Sequence, residues 1–513
     1  MQNNKRCTLY LAWTRLCTKF KLIGSSNEYG IWKSSFLIGI ILLIVLGSQS
    51  LYANETAYDE NYNTPSHSKF YAIGPEKPEV EYLATPGWPV PGELENVAVE
   101  VSFDLVPTKM RFSLPCYPCM VTENNIHFSN GWTETYDPAA SSSCEVLWDR
   151  DSRYARMWIE SQNSARIVVR VRAALCDPDG YIAHSNIPSG SPYGKGDWTD
   201  EWYYIYPDGM HTRHVRIYTG LACQSLTVTD QTFQDVPPVR EIPPNVVHEF
   251  QEDFVFGLDG HLPEDDIEQV PITLIKPDGC YETFSYKPYP KDFGEFNNAN
   301  IKVVNLKSDY KPFTISIPYG LENETYPPEG ELNHTFQTWL RGPGQGYSTS
   351  LGHTLNWWHF RRTENILEQV YLSGMSNSTS PNEELAELER SWITFPRLLM
   401  DGLDNPYTQM TYSQAQRAYI VPGDQRVAKL EFRLGFEDED DQDPIPVSLV
   451  NPAFVVKNWG RSRVKVRVDG RTMEPDKDVR VGYEITSTGT DMILWLNMKS
   501  DKSVKYVLTR EKR

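Results

Sequence analysis

The chain has 513 residues and a formal net charge of −19, which gives room for two to four domains and a sizeable core. So acidic a protein is unsuited to nucleic acid, whose phosphates repel it. Its 36 prolines, 32 glycines, 29 tyrosines, 20 phenylalanines and 14 tryptophans, with few long apolar periodic runs, exclude a helical fold and predict many short strands joined by turns.

At the N-terminus an apolar run from Phe36 to Leu46 follows Lys33 and precedes the small and polar residues Gly47 to Ser50. It is too short to span a bilayer comfortably and has the layout of a secretory signal cleaved near Ala53. The length of residues 1–53 leaves an uncleaved anchor as the alternative. Cleavage predicts a secreted chain with no membrane span and a formal charge of −24. Six cysteines lie beyond this leader, at 116, 119, 144, 176, 223 and 280. An even count in an oxidising compartment predicts disulfides but does not specify their pairing. Cys116-Tyr-Pro-Cys119 lacks the βαβ surroundings of a redox motif, and no second ligand pair completes a zinc site.

Residues 54–80 are polar and read as a flexible lead-in. Strands begin with Val97 to Phe103 and Met110 to Phe112, followed by a turn-rich stretch around Asn130-Gly131. Ala165 to Cys176 alternates clearly: Ile167, Val169, Val171, Ala173 and Leu175 share one face, and Arg166, Arg170 and Arg172 the other. In an acidic protein this stripe either pairs with carboxylates on a neighbouring strand or holds an anionic ligand. Asp177-Pro-Asp-Gly180 closes the strand, and the loop from Tyr181 to Tyr193 carries His184.

Tyr193 to Gly220 is the stretch richest in chemistry. Asp208-Gly209 is a two-residue hairpin signal, since both central positions need positive φ. That turn would set Tyr206 opposite His211, Tyr204 opposite Arg213 and Trp202 opposite Val215, with Tyr203 opposite His214 and Glu201 opposite Arg216. Phenols beside imidazoles and guanidiniums can stack sugars and move protons; an ordinary buried hairpin is the competing reading.

Further along come Asn333-His334, the run Arg341-Gly-Pro-Gly-Gln-Gly346, Ser350-Leu-Gly-His353 and Asn356-Trp-Trp-His359. Glycines let the backbone approach a ligand, and the histidines offer acid and base groups beside tryptophan platforms. The run lacks the context of a phosphate loop, which argues against nucleotide. Ser380-Pro-Asn-Glu383 is a capping box opening a helix to about Trp392. Beyond it Ala418–Val421, Ala428–Phe436, Ala453–Lys457, Val464–Val468, Val479–Tyr483, Met492–Leu496 and Val504–Leu508 read as regular strands, with Asp469-Gly470 as another hairpin turn. The acidic run Glu437 to Asp443 is a solvated loop or a structural calcium site without EF-hand spacing; no cofactor is otherwise required.

The order His184, Tyr193-Gly-Lys-Gly-Asp-Trp, Glu201 to Gly209, Arg213, Asn333-His334, Ser350-Leu-Gly-His353 and Asn451-Pro-Ala-Phe with Asn458-Trp-Gly460 resembles the ulvan lyases, secreted proteins of marine polysaccharide-degrading bacteria. The resemblance spans roughly residues 160 to 510. It implies β-elimination on a sulfated, uronate-containing algal polysaccharide as the partner. Elimination needs a base for the C5 proton, an acid for the leaving oxygen and a group that quiets the carboxylate. His184, His334, His353 and Tyr204 are the expected acid and base pool, with Arg213, Arg341 and Asn333 around the carboxylate. Lys195, Trp202, Tyr206 and His211 are the expected substrate-binding residues. The alternatives are a glycoside hydrolase, using two of Asp197, Asp200, Glu201 and Asp208, and a non-catalytic glycan-binding protein. The expected architecture is all-β: a large, supersandwich-like β-sandwich catalytic domain over residues 81–393 and a smaller C-terminal β-sandwich over 394–513. The sequence does not specify an oligomeric state.

Overall fold

A computed structural model describes residues 70–73, 97–113, 118–149, 152–186, 191–219, 248–285, 293–317, 321–324, 337–340, 347–356, 361–362, 366–399, 411–435 and 448–511. These residues are nearly all β, and residues 65–513 form one compact unit. The two helices among them, Pro263–Asp266 and Pro381–Ile393, are short. Neither is long and apolar enough to cross a membrane. The leader, Cys116, Cys223, Asn333, His334, Arg341 and the acidic run at 437–443 all lie outside the described residues.

Two large sheets carry the first part of the chain. One runs in the order Tyr71–Ile73, Val97–Ser102, Lys109–Ser113, Pro118–Val121, His127–Ser129, His248–Phe256, Tyr347–Asn356, Leu321–Glu324. The other runs Tyr281–Phe284, Ile267–Ile275, Ile301–Leu306, Lys311–Ser316, Ile366–Ser376, His211–Tyr218, Trp198–Ile205, Ile167–Ala174, Arg156–Gln162. Alternation drives them together. Val99, Val101, Met110 and Phe112 from the first sheet share a core with Ile167, Val169, Tyr203, Ile205, Val215 and Ile217 from the second, as two apolar faces meeting in a sandwich require. The arginine-bearing strand forms over Ile167–Ala174 with the expected apolar face inward.

Polar pairs interrupt this interior. Lys302 Nζ lies 2.6 Å from Asp253 across the sheets, and Asn130 donates to the Thr314 hydroxyl. Arg213, Glu201 and Tyr203 form a third group. Gly131 shows how closely the facing sheet approaches them: it has φ +89°, and a Cβ there would sit 2.8 Å from Arg213 Nη1.

The hairpin register differs from the expected one by a single residue. Trp202 pairs with His214, Tyr203 with Arg213, Tyr204 with Thr212, Ile205 with His211 and Asp200 with Arg216. The cause is Pro207. A two-residue turn would need Pro207 to donate its N–H to Met210, and proline has none. Tyr206 donates instead, 3.0 Å from the Met210 carbonyl, and Gly209 closes onto Tyr206 at 3.1 Å. The loop therefore has three residues, with Gly209 at φ +79° in the left-handed position that such loops assign to glycine. Asp469-Gly470, with no proline before it, does form the two-residue turn: both residues have positive φ, and Val468 pairs with Arg471.

Beyond the helix Pro381–Ile393, two five-stranded sheets follow. Tyr419, Phe432, Phe454, Trp459 and Tyr506 fill the core between them. The helix has proline in its first turn, but the Ser380 side chain makes no cap hydrogen bond, so the expected capping box is not formed. Cys144, Cys176 and Cys280 are free thiols, so the disulfides expected of them are also not formed. Burial pushes Cys144 and Cys176 up to about 12, where a thiol is protonated and inert.

The C-terminal sheets clasp the hairpin tip. Arg417 lies 3.3 Å from Asp208 and Asn451 donates to Asp208 at 3.0 Å. Thr212 donates to the Ala415 carbonyl, and Tyr206 to the Gln416 carbonyl. Arg166 reaches Glu484 at 2.6 and 3.1 Å.

Candidate functional site

The register decides which hairpin side chains meet. Tyr203, Glu201, Arg213 and His211 share the inward face. Arg213 binds Glu201 through Nε at 2.8 Å and through Nη2 at 3.0 Å, and the Tyr203 hydroxyl donates to Glu201 at 2.6 Å. With Arg213 and Glu201 at 4% and 1% exposure, this is a buried ion pair with its own phenol. It is not the open guanidinium expected around a carboxylate. His211 is buried beside it, and burial pushes its imidazole down to about 3. Tyr206 is fully buried, so neither it nor His211 meets solvent as the expected binding role requires. Tyr204 faces the other way. It is half-buried with its ring 5.2 Å below the Arg166 guanidinium, and burial pushes its phenol up to about 12. Lys195 is exposed, its carbonyl accepting from Trp198 Nε1 at 3.0 Å. Trp202 is half-buried on the outer face.

The hairpin carboxylates proposed for hydrolysis are all engaged. Asp197 is held by His184, Asp200 by Arg170, Glu201 by Arg213 and Asp208 by Arg417. Asp197 precedes Tyr203 by six residues, about 20 Å along a strand. His184 and Arg213 therefore do not converge on one groove.

A different group of titratable residues does assemble, around the strands Trp132–Thr135 and Cys144–Glu145. Glu134 pairs in register with Glu145 on one side and His248 on the other. Glu252, which feels Glu145 electrostatically, pairs with His353. The outward row of the first sheet thus carries Glu134, Glu145 and Glu252. Burial, then the negative charge of Glu134 and Glu252, pushes the Glu145 carboxyl up to about 8; such a group keeps its proton at neutral pH. Tyr136 follows in the chain at 45% exposure. Burial of its hydroxyl end and the charge of Glu134 hold its phenol above the usual range, and it hydrogen-bonds to Glu134.

The next residue, Asp137, ties this group to His184. Asp137 accepts from the His184 N–H at 2.7 Å and the Tyr181 hydroxyl at 2.9 Å. Burial raises its carboxyl, and these donors with Ala139 outweigh burial and hold it low. His184 stands at φ +53°, an uncommon conformation for a side-chain-bearing residue, with Nδ1 2.8 Å from Asp197. Burial lowers the imidazole, but the hydrogen bond to Asp197 and the negative charges of Asp197 and Asp137 together outweigh it and raise it. Burial of Asp197 is not fully offset, and its carboxyl is raised too. The pair holds one proton to a higher pH than a free imidazole would. An exposed phenol, a protonated carboxyl and an oriented imidazole can together deliver and accept protons at neutral pH. Among the described residues no group of histidine, cysteine and carboxylate side chains has the arrangement of a metal site.

Of the expected site residues, only His184 joins this group by its side chain, and His353 by backbone register. Glu134, Tyr136, Glu145 and Glu252 carry no motif in the sequence. The sole signal was the alternation Trp132, Glu134, Tyr136 inside the turn-rich stretch.

Replacing Glu145 by glutamine exposes the proton it holds. Its folded pKa lies above its ordinary value of 4.5, so its contribution to stability is complete below that pH and is lost as pH rises through about 8. The wild type should lose melting temperature relative to Glu145→Gln across this window. Parallel curves would mean that Glu145 titrates normally.

No protein-family model and no curated protein sequence matches the chain. Among solved structures, a galactose 1-epimerase from Lactobacillus acidophilus NCFM aligns over 54% of this chain and 93% of its own, at 7% identity and a TM-score of 0.23. A polysaccharide lyase aligns over 80% of this chain and 45% of its own, at 7% identity and a TM-score of 0.19. Likenesses this slight carry no weight for the site.

Proposed function

We propose that the chain is a secreted polysaccharide lyase acting on a uronate-containing, sulfated glycan of the ulvan type. Glu145 carries the reading. A carboxyl that keeps its proton can donate a hydrogen bond to a uronate carboxylate, spreading its charge and making the C5 proton acidic, which is the step β-elimination needs. Tyr136, whose phenol keeps its proton beside Glu134, is the proton donor to the leaving oxygen. His184, locked by Asp197 and Asp137, positions the Tyr136 segment. His353, with its backbone opposite Glu252, and Asn333, His334 and Arg341 complete the set implied by the resemblance to ulvan lyases.

A retaining or inverting hydrolase is the second reading. It is favoured by the same protonated Glu145 beside Glu252, since such enzymes pair a carboxylic acid with a carboxylate.

Incubation with ulvan separates these readings. New ultraviolet absorbance from unsaturated uronate ends supports the lyase. Reducing ends without it indicate hydrolysis, and retained binding without either indicates a glycan-binding protein. In the lyase, Tyr136→Phe should cut the rate by about 100-fold, the order expected for one general acid–base group, with unchanged melting. A fully active Tyr136→Phe enzyme removes Tyr136 from the chemistry.

A further inference from the structure

On the outer face of the second sheet, away from the sandwich core, two rows of side chains cross neighbouring strands. In one, Trp158, Arg170, Trp202 and His214 stand in register; in the other, Arg156, Arg172, Asp200, Arg216 and Glu368 do. The rows interlock. The Arg170 guanidinium lies 5.1 Å from the Trp158 ring and 4.5 Å from the Trp202 ring, Arg172 lies 3.6 Å from Tyr193, and Arg216 lies 5.3 Å from Trp202. His214 stacks on Trp202 at 5.4 Å.

Two carboxylates of this face lie beneath it, and a third, Glu160, is open and reaches Arg170 Nη1 at 3.4 Å. Asp200 is fully buried and binds Arg170 at 2.5 and 2.7 Å, and Glu368 is 8% exposed and binds Arg216 at 2.6 Å. Burial raises the Glu368 carboxyl, but His214, 3.8 Å away, and the hydrogen bonds and charge of Arg216 outweigh that and bring it down to about 2. Above them Arg170, Arg172 and Arg216 keep 21%, 26% and 34% of their side chains open. Arg172 is 3.7 Å from Asp200; its Nε is buried without a hydrogen-bond partner among the described residues, and the open part of the side chain is the rest of the guanidinium and its stem. Solvent therefore meets guanidinium edges and aromatic rings in a chain whose formal charge is −19.

We propose that this face is a binding platform for a polyanionic glycan, separate from the proton-transfer group and independent of whether that group catalyses. Adjacent strands are about 4.8 Å apart, close to one sugar residue, so a chain lying across the strands brings alternate rings over Trp158 and Trp202, with Arg170 on the strand between them. Its sulfate or carboxylate groups then meet the open edges of the Arg172 and Arg216 guanidiniums, whose fork geometry matches both. The interleaved aromatics favour a sugar chain over a bare polyanion.

Affinity electrophoresis of the full chain through gels holding dextran sulfate, neutral dextran or single-stranded DNA tests the platform. Dextran sulfate should retard the protein, and the two controls should not. The variant Trp158→Ala with Arg172→Gln should bind dextran sulfate at least 10-fold more weakly while melting as the wild type does. Arg172→Gln alone keeps the closer Arg170–Asp200 and Arg216–Glu368 pairs and should weaken binding several-fold if the double variant does not fold. Unchanged retardation of a folded variant overturns the proposal, and so does equal retardation by DNA. Absence of ulvan cleavage would fell the lyase reading and leave this one standing.

Discussion

Arg213→Ala should lower the free energy of unfolding by about 3–5 kcal/mol, the usual cost of leaving one partner of a buried ion pair uncompensated. Glu201 is 1% exposed and takes both of its cationic hydrogen bonds from Arg213, so its charge would remain with only the Tyr203 hydroxyl and the surrounding dipoles. Removing both charges, with Arg213→Met and Glu201→Leu together, should recover most of the loss, because two apolar side chains of similar volume have no charge to desolvate. Chemical denaturation of the single and double variants reads the difference. A loss below about 1 kcal/mol would show that the pair contributes little. An Arg213→Ala protein that unfolds like the wild type yet lacks activity would return Arg213 to the chemistry.

Acidification should destabilise the protein through His211. Its folded pKa of about 3 lies below the ordinary 6.5. The associated stability is therefore fully present above pH 6.5 and is lost as pH falls toward 3, at up to about 1.4 kcal/mol per pH unit and on the order of 5 kcal/mol in all. The geometry gives the reason: the ring is 4% exposed, its Nδ1 has no hydrogen-bond partner among the described residues, and its other nitrogen faces the Gly209 backbone. A second proton would have no acceptor. His211→Phe should flatten the acid limb of a plot of unfolding free energy against pH. If wild type and variant stay parallel from pH 7 to 4, His211 is not the group that titrates.

The sequence was most legible where a single physical rule decides. Period-two alternation placed Ile167 and Val169 inward and the arginines outward, and it located the C-terminal strands to within a few residues. It failed at Pro207, where the positive-φ preference of Asp-Gly competed with a missing backbone donor and lost; every pairing in the hairpin moved with it. The outcome exchanged Tyr204 for Tyr203 as the partner of Arg213 and turned the expected groove residues into interior ones. The cluster of Glu134, Glu145 and Glu252 was not legible at all, because its carboxylates lie on separate strands and their coupling comes from register. Local signals do not encode that.

The clasp on the hairpin tip bears on how the protein is made. Arg166 emerges from the ribosome 318 residues before Glu484, its partner, and Asp208 waits 243 residues for Asn451. Closing the hairpin tip therefore waits for the C-terminal strands, because the residues that hold it lie near the end of the chain.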